Sequence, residues 1–474
     1  MIFNSVDFAI FVTIVFFVYW FFTKKNTNIQ NLLVVISSYI FYGWWDWRFL
    51  FLIILSTLLD YTIGLYIFKE TAKRKRKLLL YISLFINLGF LGFFKYYNFF
   101  LDNFIEAFSF FNVKLSANSL NIILPVGISF YTFQTLSYTI DIYQRKITPT
   151  KNLIAFSAFV CFFPQLVAGP IERAKDLLPQ FLNKRVFNYN KAIDGLRQIL
   201  FGLFKKIVIA DNCAVHVNEI YSNIGDYSGS TLILVSIFFS FQLYADFSGY
   251  SDIAIGTSRL FGFNLKQNFA FPFFASSLQE LWRRWHISLT TWFRDYVYIP
   301  LGGNRVTSIL KFRNILVVFI ITGFWHGANW TYIVWGALNG LFILFFIYLE
   351  KYSPQINNNT INTITNTIKR IITFSLFTLL LILFRSQSLK DAIIYFKNIF
   401  SNSLISIPEI RPLKLILIIS IFMIFEWYGR KHLYAFEMIK KVKLLFLRWS
   451  IYLIIIVLIL YFKGSPQQYI YFQF

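Results

Sequence analysis

The sequence predicts an all-α polytopic membrane protein, and three observations carry that reading. Hydrophobic residues make up 57% of the 474-residue chain and charged residues only 14%, against about 25% charged in ordinary soluble domains. Apolar runs of about 18 residues, enough to cross a bilayer core, recur along the chain. No long polar stretch separates them, so one integral domain is expected over residues 1–474, with a motif-rich core near 120–345.

Taken in order, spans are expected at 6–23, 29–45, 49–68, 78–95, 229–245, 309–324, 330–349, 368–385, 413–428 and 445–462. Apolar segments at 97–112, 120–142, 151–169 and 192–210 are ambiguous, which makes about ten to thirteen embedded segments. The opening MIFNSVDFAIFVTIVFFVYWFF has no basic n-region and no small-residue cleavage site, so it reads as a retained first span. KETAKRKRK (69–77) is the strongest topological signal, because such clusters stay cytoplasmic. Three spans precede it, which places the N-terminus outside and Lys24 and Lys25 inside.

LPVGISFYTFQTLSYTIDIY (124–143) and FFPQLVAGPIERAKDLLPQF (162–181) are broken by Pro, Gly or charge. Backbone groups freed in this way must be paired inside protein or line a wet cavity. Both segments are therefore expected to be re-entrant or tilted pieces around a pocket. NNNTINTITNT (357–367) reads as a polar loop, and no internal repeat supports an inverted-repeat transporter.

The net charge of +23 fits basic residues flanking membrane spans and meeting anionic lipids better than it fits nucleic acid. Cys161 and Cys213 lie in apolar surroundings. They form neither a disulfide framework nor a metal cluster and are expected to be buried and inert.

Ionisable residues at membrane depth are costly, and each is a functional hypothesis. There are four histidines. His432 sits in the basic stretch GRKHLYAF and reads as an interfacial residue; His216, in ADNCAVHVNEI, has little to mark it for a direct role. His326 closes a long apolar run, flanked by Gly323 and Gly327, which admit close approach of other backbone or a substrate. Two readings stand: a histidine hydrogen-bonded inside a helix bundle, or a general base kept neutral in a dry pocket.

His286 lies in ELWRRWHISLTTWFRDYVYIPLGGNR (280–305). At about 100° per residue Leu281, Trp285, Leu289, Trp292 and Tyr296 form one apolar stripe. His286 falls just off its edge, with Arg283 and Arg294 further round. The segment is expected to be an amphipathic helix at the membrane surface. Its arginines meet either lipid phosphates or an anionic acyl carrier. Zinc is disfavoured, since no Cys or Glu stands at ligand spacing from either histidine. There is no G-x-S-x-G elbow, P-loop or GxGxxG. Asp246 and Asp252 are embedded carboxylates that either orient a partner or are paired structurally.

Several stretches go beyond composition: FFPQLVAGPIERAKDLLPQF, DFSGYSDIAIGTSRLFGF, LWRRWHISLTTWFRDYVYIPLGGNR, FWHGANWTYIVWGALNG and the tail QQYIYFQF. In order and spacing they resemble the membrane-bound O-acyltransferase (MBOAT) family, in its AlgI- and PatA-like branch. RDYVYIPLGGNR favours that branch over DltB-type proteins. The resemblance implies a ring of helices around a funnel that narrows at a histidine. It implies acyl transfer from a thioester to a hydroxyl, with acetyl-CoA as donor, no bound cofactor and no metal. Acetyl would cross the membrane towards an extracytoplasmic polysaccharide, with a secreted SGNH-type transferase of the AlgJ, AlgX or PatB kind as partner. The setting would be the bacterial inner membrane.

Carried over onto this chain, the resemblance makes His326 the intramembrane catalytic histidine and His286 the second characteristic position. Arg283, Arg284, Trp285, Arg294, Asp295, Trp325 and Asn329 are the candidate donor-binding or tunnel residues. D-alanyl-type transfer from a carrier-protein thioester, a polysaccharide or lipid-carrier transporter, and an accessory scaffold subunit remain as alternatives.

Overall fold

Every span expected from the apolar runs is helical. The computed structural model describes all residues except 24, 114, 116–118, 168, 352–358, 465–466 and 471–474, and of 350–351 and 359–362 the backbone alone. Lys24 thus lies outside the described residues.

The chain divides into two compact units. The first comprises residues 1–196 and 254–266. It holds α1 (Val6–Phe17), α2 (Thr27–Asp46), α3 (Leu50–Lys69), α4 (Lys73–Leu91), α5 (Tyr97–Phe110), α6 (Ile128–Tyr143), α7 (Leu153–Cys161), α8 (Phe163–Leu166) and α9 (Ala174–Leu182). Caps mark several starts: Ser5 Oγ accepts from the Phe8 N–H at 3.1 Å, and Asn26 Oδ1 from the Asn28 N–H at 2.9 Å. Helix α6 has fourteen of its sixteen residues buried, so protein rather than lipid surrounds it. That agrees with its poor fit to a lipid-facing span. The other interrupted segment is broken as expected. Helix α7 stops at Cys161, and Phe162 turns extended (ψ 103°) ahead of α8, which carries Pro164 in its first turn. Both cysteines are buried and free.

The second unit comprises residues 197–253 and 267–474. Helix α10 (Tyr189–Phe204) runs into it and passes through a π turn, Lys205–Ala210, to α11 (Asp211–Ser222). Next come α12 (Gly229–Leu260), whose residues from 254 onward belong to the first unit, α13 (Leu278–Arg284), α14 (Ile287–Phe293), α15 (Ser308–His326), α16 (Trp330–Lys351), α17 (Asn359–Arg385), α18 (Leu389–Ile399), α19 (Leu413–Gly429) and α20 (Leu445–Tyr461). The expected polar loop at 357–367 is corrected in part: from Asn359 onward it is the first turns of α17, while 357 and 358 lie outside the described residues. Asn and Thr are weak helix formers, but the apolar register that begins at Ile361 continues unbroken to Arg385 and carries them.

Six helical stretches among the described residues are long and apolar enough to cross a membrane. Helix α20 buries no residue at all, and side chains such as Phe85 (80% exposed) and Phe446 (86%) project outward. A helix that is apolar all round and unburied by protein is one that faces lipid.

Two turns of the second unit matter for function. Helices α15 and α16 are joined by three residues and pack backbone to backbone. A Cβ on Gly323 would lie 2.2 Å from the Tyr332 carbonyl oxygen, and one on Gly336 would lie 2.3 Å from that of Phe319. The glycines beside His326 thus serve helix packing: at Gly327 the space is filled by the Tyr332 ring.

Candidate active site

The segment that carries His286 is not one helix. Helix α13 ends at Arg284, Trp285 is extended, and His286 takes the left-handed conformation (φ 42°, ψ 53°) before α14 begins. This corrects the continuous amphipathic helix expected from the stripe. The cause is the neighbouring stretch 268–270, which competes for the backbone. Ala270 N–H donates to the Arg284 carbonyl and Ile287 N–H donates to the Asn268 carbonyl, both at 2.9 Å. The stripe itself is real: Leu281, Trp285, Leu289 and Trp292 are buried.

The break turns His286 inward. Its ring is buried, and Nδ1 lies 3.2 Å from Asn268 Oδ1. The same oxygen accepts from the Ser288 N–H (3.2 Å) and Oγ (2.9 Å), so it is an acceptor, and His286 must carry its proton on Nδ1. Asn268 Nδ2 in turn donates to Ser251 Oγ at 3.3 Å. The basic nitrogen of His286 is therefore Nε2. Burial pushes its imidazole down to about 3.

His326 sits at the C-terminal end of α15, 5% exposed, inside an aromatic box. Trp325, Phe384 and Trp335 hold their ring centroids 5.0, 5.2 and 5.4 Å from its imidazole. Trp325 also stands 6.0 Å from His286, so one indole touches both histidines.

His286 and His326 line the same cavity, of about 330 Å³. It runs along α15 from Lys311 to His326, a rise of about 22 Å for fifteen residues. Arg283, Trp285 and Arg294 line it too, together with Trp282, Thr322 and Tyr298. The other candidates stand around it. Arg284 donates to Glu280 Oε1 at 2.5 Å, and Asp295 accepts from Arg294 Nε at 2.8 Å. Asn329 is a strut: Nδ2 donates to the Gln387 carbonyl at 2.7 Å, and Oδ1 accepts from the Thr331 N–H at 2.9 Å. His216 packs 6.1 Å from Phe238, and His432 Nδ1 lies 3.9 Å from Glu437. Sequence reasoning missed Lys311 and Asn268; Lys311, an ionisable residue inside the apolar run 309–324, was an available signal, whereas Asn268 offers none.

Asp246 and Asp252 resolve into a buried ion cluster. Lys205 Nζ reaches Asp252 at 2.6 Å, while Lys206 Nζ reaches both Asp246 and Asp211 at 2.8 Å. The π turn aims two successive lysines inward, which a regular helix would splay by about 100°. Ile470 N–H donates to Asp246 at 2.8 Å, and Tyr469 packs 4.1 Å from Tyr250, so the tail closes this cluster. Two lysines inside the apolar run 192–210 were the available signal.

With this geometry in hand, the comparisons are specific. The sequence model of the membrane-bound O-acyltransferase family matches residues 103–386. The chain belongs to that family. It is 39% identical to a probable alginate O-acetylase, AlgI, of Pseudomonas aeruginosa over 383 residues, 81% of this chain and 72% of that protein. It is 36% identical to a peptidoglycan O-acetyltransferase of Helicobacter pylori over 395 residues, 78% and 73% of the two chains. A teichoic acid D-alanyltransferase of Bacillus subtilis is 26% identical over 267 residues, 54% of this chain and 67% of that one. This MBOAT chain is a multi-pass membrane acyltransferase, and its similarity is greater to the O-acetylating relatives, as the RDYVYIPLGGNR motif suggests.

Proposed function

We propose that the protein moves an acetyl group from acetyl-CoA on the cytoplasmic side to an acceptor hydroxyl on the other, for O-acetylation of an extracytoplasmic polysaccharide. The observation that carries this reading is one cavity lined by both histidines, with Arg283, Arg294 and Lys311 along it. Guanidinium and ammonium groups suit the phosphates of a nucleotide thioester. The names of the O-acetylating relatives point the same way.

Orientation follows from charge. The stretch from the end of α14 to the start of α15 carries Arg294, Arg305, Lys311 and Arg313, whereas the α15–α16 turn, 327–329, carries no Lys or Arg. The basic end belongs in the cytoplasm of a bacterial inner membrane. With the basic stretch 69–77 on the cytoplasmic side as well, this reading puts the N-terminus outside.

In the proposed step His326 takes the proton of the acceptor hydroxyl as its oxygen attacks the thioester carbonyl. The C–O bond forms, the C–S bond breaks, and the proton passes to the leaving thiolate, giving an acetyl ester and free coenzyme A. His286, protonated on Nδ1 towards Asn268, offers only an acceptor nitrogen and cannot supply the oxyanion hydrogen bond. Asn329 is held by Gln387 and Thr331. Trp335 Nε1 is buried beside His326 and has no hydrogen-bond acceptor among the described residues. It is the donor assigned to the oxyanion. No metal or bound cofactor takes part in this scheme. A secreted SGNH-type transferase is the proposed working partner.

The test is acetyl transfer from radiolabelled acetyl-CoA in inside-out vesicles. A general base contributes on the order of 10²–10⁴-fold, so His326→Ala should remove that much while the protein stays inserted. Full activity in a folded His326→Ala protein sinks the mechanism. Label drawn only from a carrier-protein thioester would favour the D-alanyl-type alternative.

A further inference from the structure

Two arginines of the second unit bring their charges to one tryptophan. The guanidinium carbon of Arg430 lies 3.7 Å from the centre of the Trp427 ring, and that of Arg370 lies 5.2 Å from it. Arg370 belongs to α17, while Trp427 lies in α19 and Arg430 follows its end, so the cations come from two different helices. Among the described residues neither guanidinium has a carboxylate partner. Arg430 donates to the Trp427 carbonyl. Arg370 Nε is buried and meets no hydrogen-bond acceptor among the described residues.

The ring that gathers them is held in place. Phe274 packs edge to face on Trp427 at 5.2 Å, and Phe374, one turn beyond Arg370 on α17, packs 5.0 Å from Phe273. The 3₁₀ turn Pro272–Phe274 thus braces both helices. One indole attracts one cation through its face. A second cation on the same indole adds like-charge repulsion, and a buried N–H donor without an acceptor adds a further cost. An anion with several acceptor oxygens offsets both at once.

The chemistry of that anion follows from its surroundings. A planar guanidinium fork matches phosphate oxygens. Arg370 stands near the start of the span-length stretch Thr363–Arg385. The side chains beside the arginines are apolar and exposed: Ile371 on α17 is 61% exposed, and Ile424 and Tyr428 on α19 are 59% and 71% exposed. A Trp flanked by basic residues at the end of a membrane helix marks the lipid–water boundary. A free phosphate would gain nothing from those apolar side chains, whereas acyl chains would cover them.

We infer that Arg370, Trp427 and Arg430 form a binding site for the phosphate of one anionic phospholipid, whose acyl chains lie along the outer faces of α17 and α19. Basic residues beside spans attract anionic lipid as a diffuse cloud. This site differs in holding a single lipid through two particular guanidiniums, and it holds whichever reaction the cavity performs.

The test counts lipid on the full chain. Purified protein in nonionic detergent is titrated with phosphatidylglycerol or phosphatidylcholine, and bound lipid is counted by native mass spectrometry. One phosphatidylglycerol should bind at least about tenfold more tightly than phosphatidylcholine. Arg370→Gln and Arg430→Gln should each weaken it by about tenfold, the loss of one charge-assisted hydrogen bond. Arg370→Lys, which keeps the charge without the fork, should recover only part of that loss. Thermal unfolding checks that each variant is folded, and Arg430, whose side chain is exposed, can be replaced without disturbing the core. Equal binding of the two lipids, or phosphatidylglycerol binding unchanged in the folded variants, overturns the inference. Displacement of phosphatidylglycerol by an equal concentration of inorganic phosphate also overturns it, since the site would then be one for a free anion.

Discussion

Asn268 Oδ1 lies 3.2 Å from His286 Nδ1, and through that contact the side chain of one residue sets which nitrogen of another is basic. The amide is itself oriented by Ser251 and held by Ser288. Asn268→Leu removes the acceptor and leaves Ser288 N–H and the His286 ring N–H buried without it, a cost of about 1–3 kcal/mol per group. Acetyl transfer should fall by ten- to a hundredfold, on the order of those energies. The ¹⁵N shifts of His286 should change from a single Nδ1–H tautomer to a mixture. An unchanged tautomer would refute the assignment.

Acid should destabilise the protein in a definite window. Burial pushes folded His286 down to about 3, while an unfolded chain returns it to about 6.5. Between those values the unfolded chain binds more protons, so stability rises with pH. The full contribution is present above about 6.5 and is lost as pH falls towards 3. His286→Gln should flatten that part of a thermal-unfolding profile recorded from pH 7 to pH 4. An equally steep profile would place the titrating group elsewhere.

Lys206→Met should be far more damaging than its distance from the histidines suggests. It leaves Asp211 and Asp246 buried without their cation. Breaking a buried pair in this way costs on the order of 3–5 kcal/mol. Loss of folded protein in mild detergent, partly restored by adding Asp246→Asn, is the expected result. No rescue in the double variant would mean the pair is not coupled.

Gly323→Ala places a methyl group against the Tyr332 carbonyl. Helices α15 and α16 must part, and His326 moves with the end of α15. Activity should drop at least about tenfold, since small misplacements of a reacting group cost up to about 100-fold, with insertion intact. Gly89→Ala, where nothing lies within 4 Å of the added carbon, is the control and should leave activity unchanged.

Trp335→Phe keeps an aromatic ring in the box around His326 and removes one N–H. Loss of an oxyanion donor typically costs on the order of 10²–10³ in kcat. The expected signature is a fall in kcat with little change in KM for acetyl-CoA. A KM effect alone would make Trp335 a packing residue.

Much of this was legible in the chain, and the exceptions share a physical cause. Spans such as 309–324 and 330–349 declare themselves because lipid demands long apolar runs. His326 stood out for the same reason, as an ionisable group inside one. The break at His286 did not, because it depends on Asn268, whose backbone and side chain compete with helical hydrogen bonds from outside the local sequence. The lysine–aspartate cluster is half visible: Asp246 and Asp252 stand out as embedded carboxylates, but their partners sit forty or so positions upstream on another helix. Asn329, attractive by its place beside the histidine motif, is occupied by Gln387 and Thr331, and only coordinates reveal such prior commitments.

The hydrogen bond from Ile470 to Asp246 spans 224 positions of sequence. While the chain is being synthesised, Lys206, Asp211 and Asp246 therefore enter the lipid long before the residue that seals them has left the ribosome. During that interval the charges need water or a membrane insertase for company. A nascent chain that has not yet reached residue 470 holds Asp246 without that N–H donor.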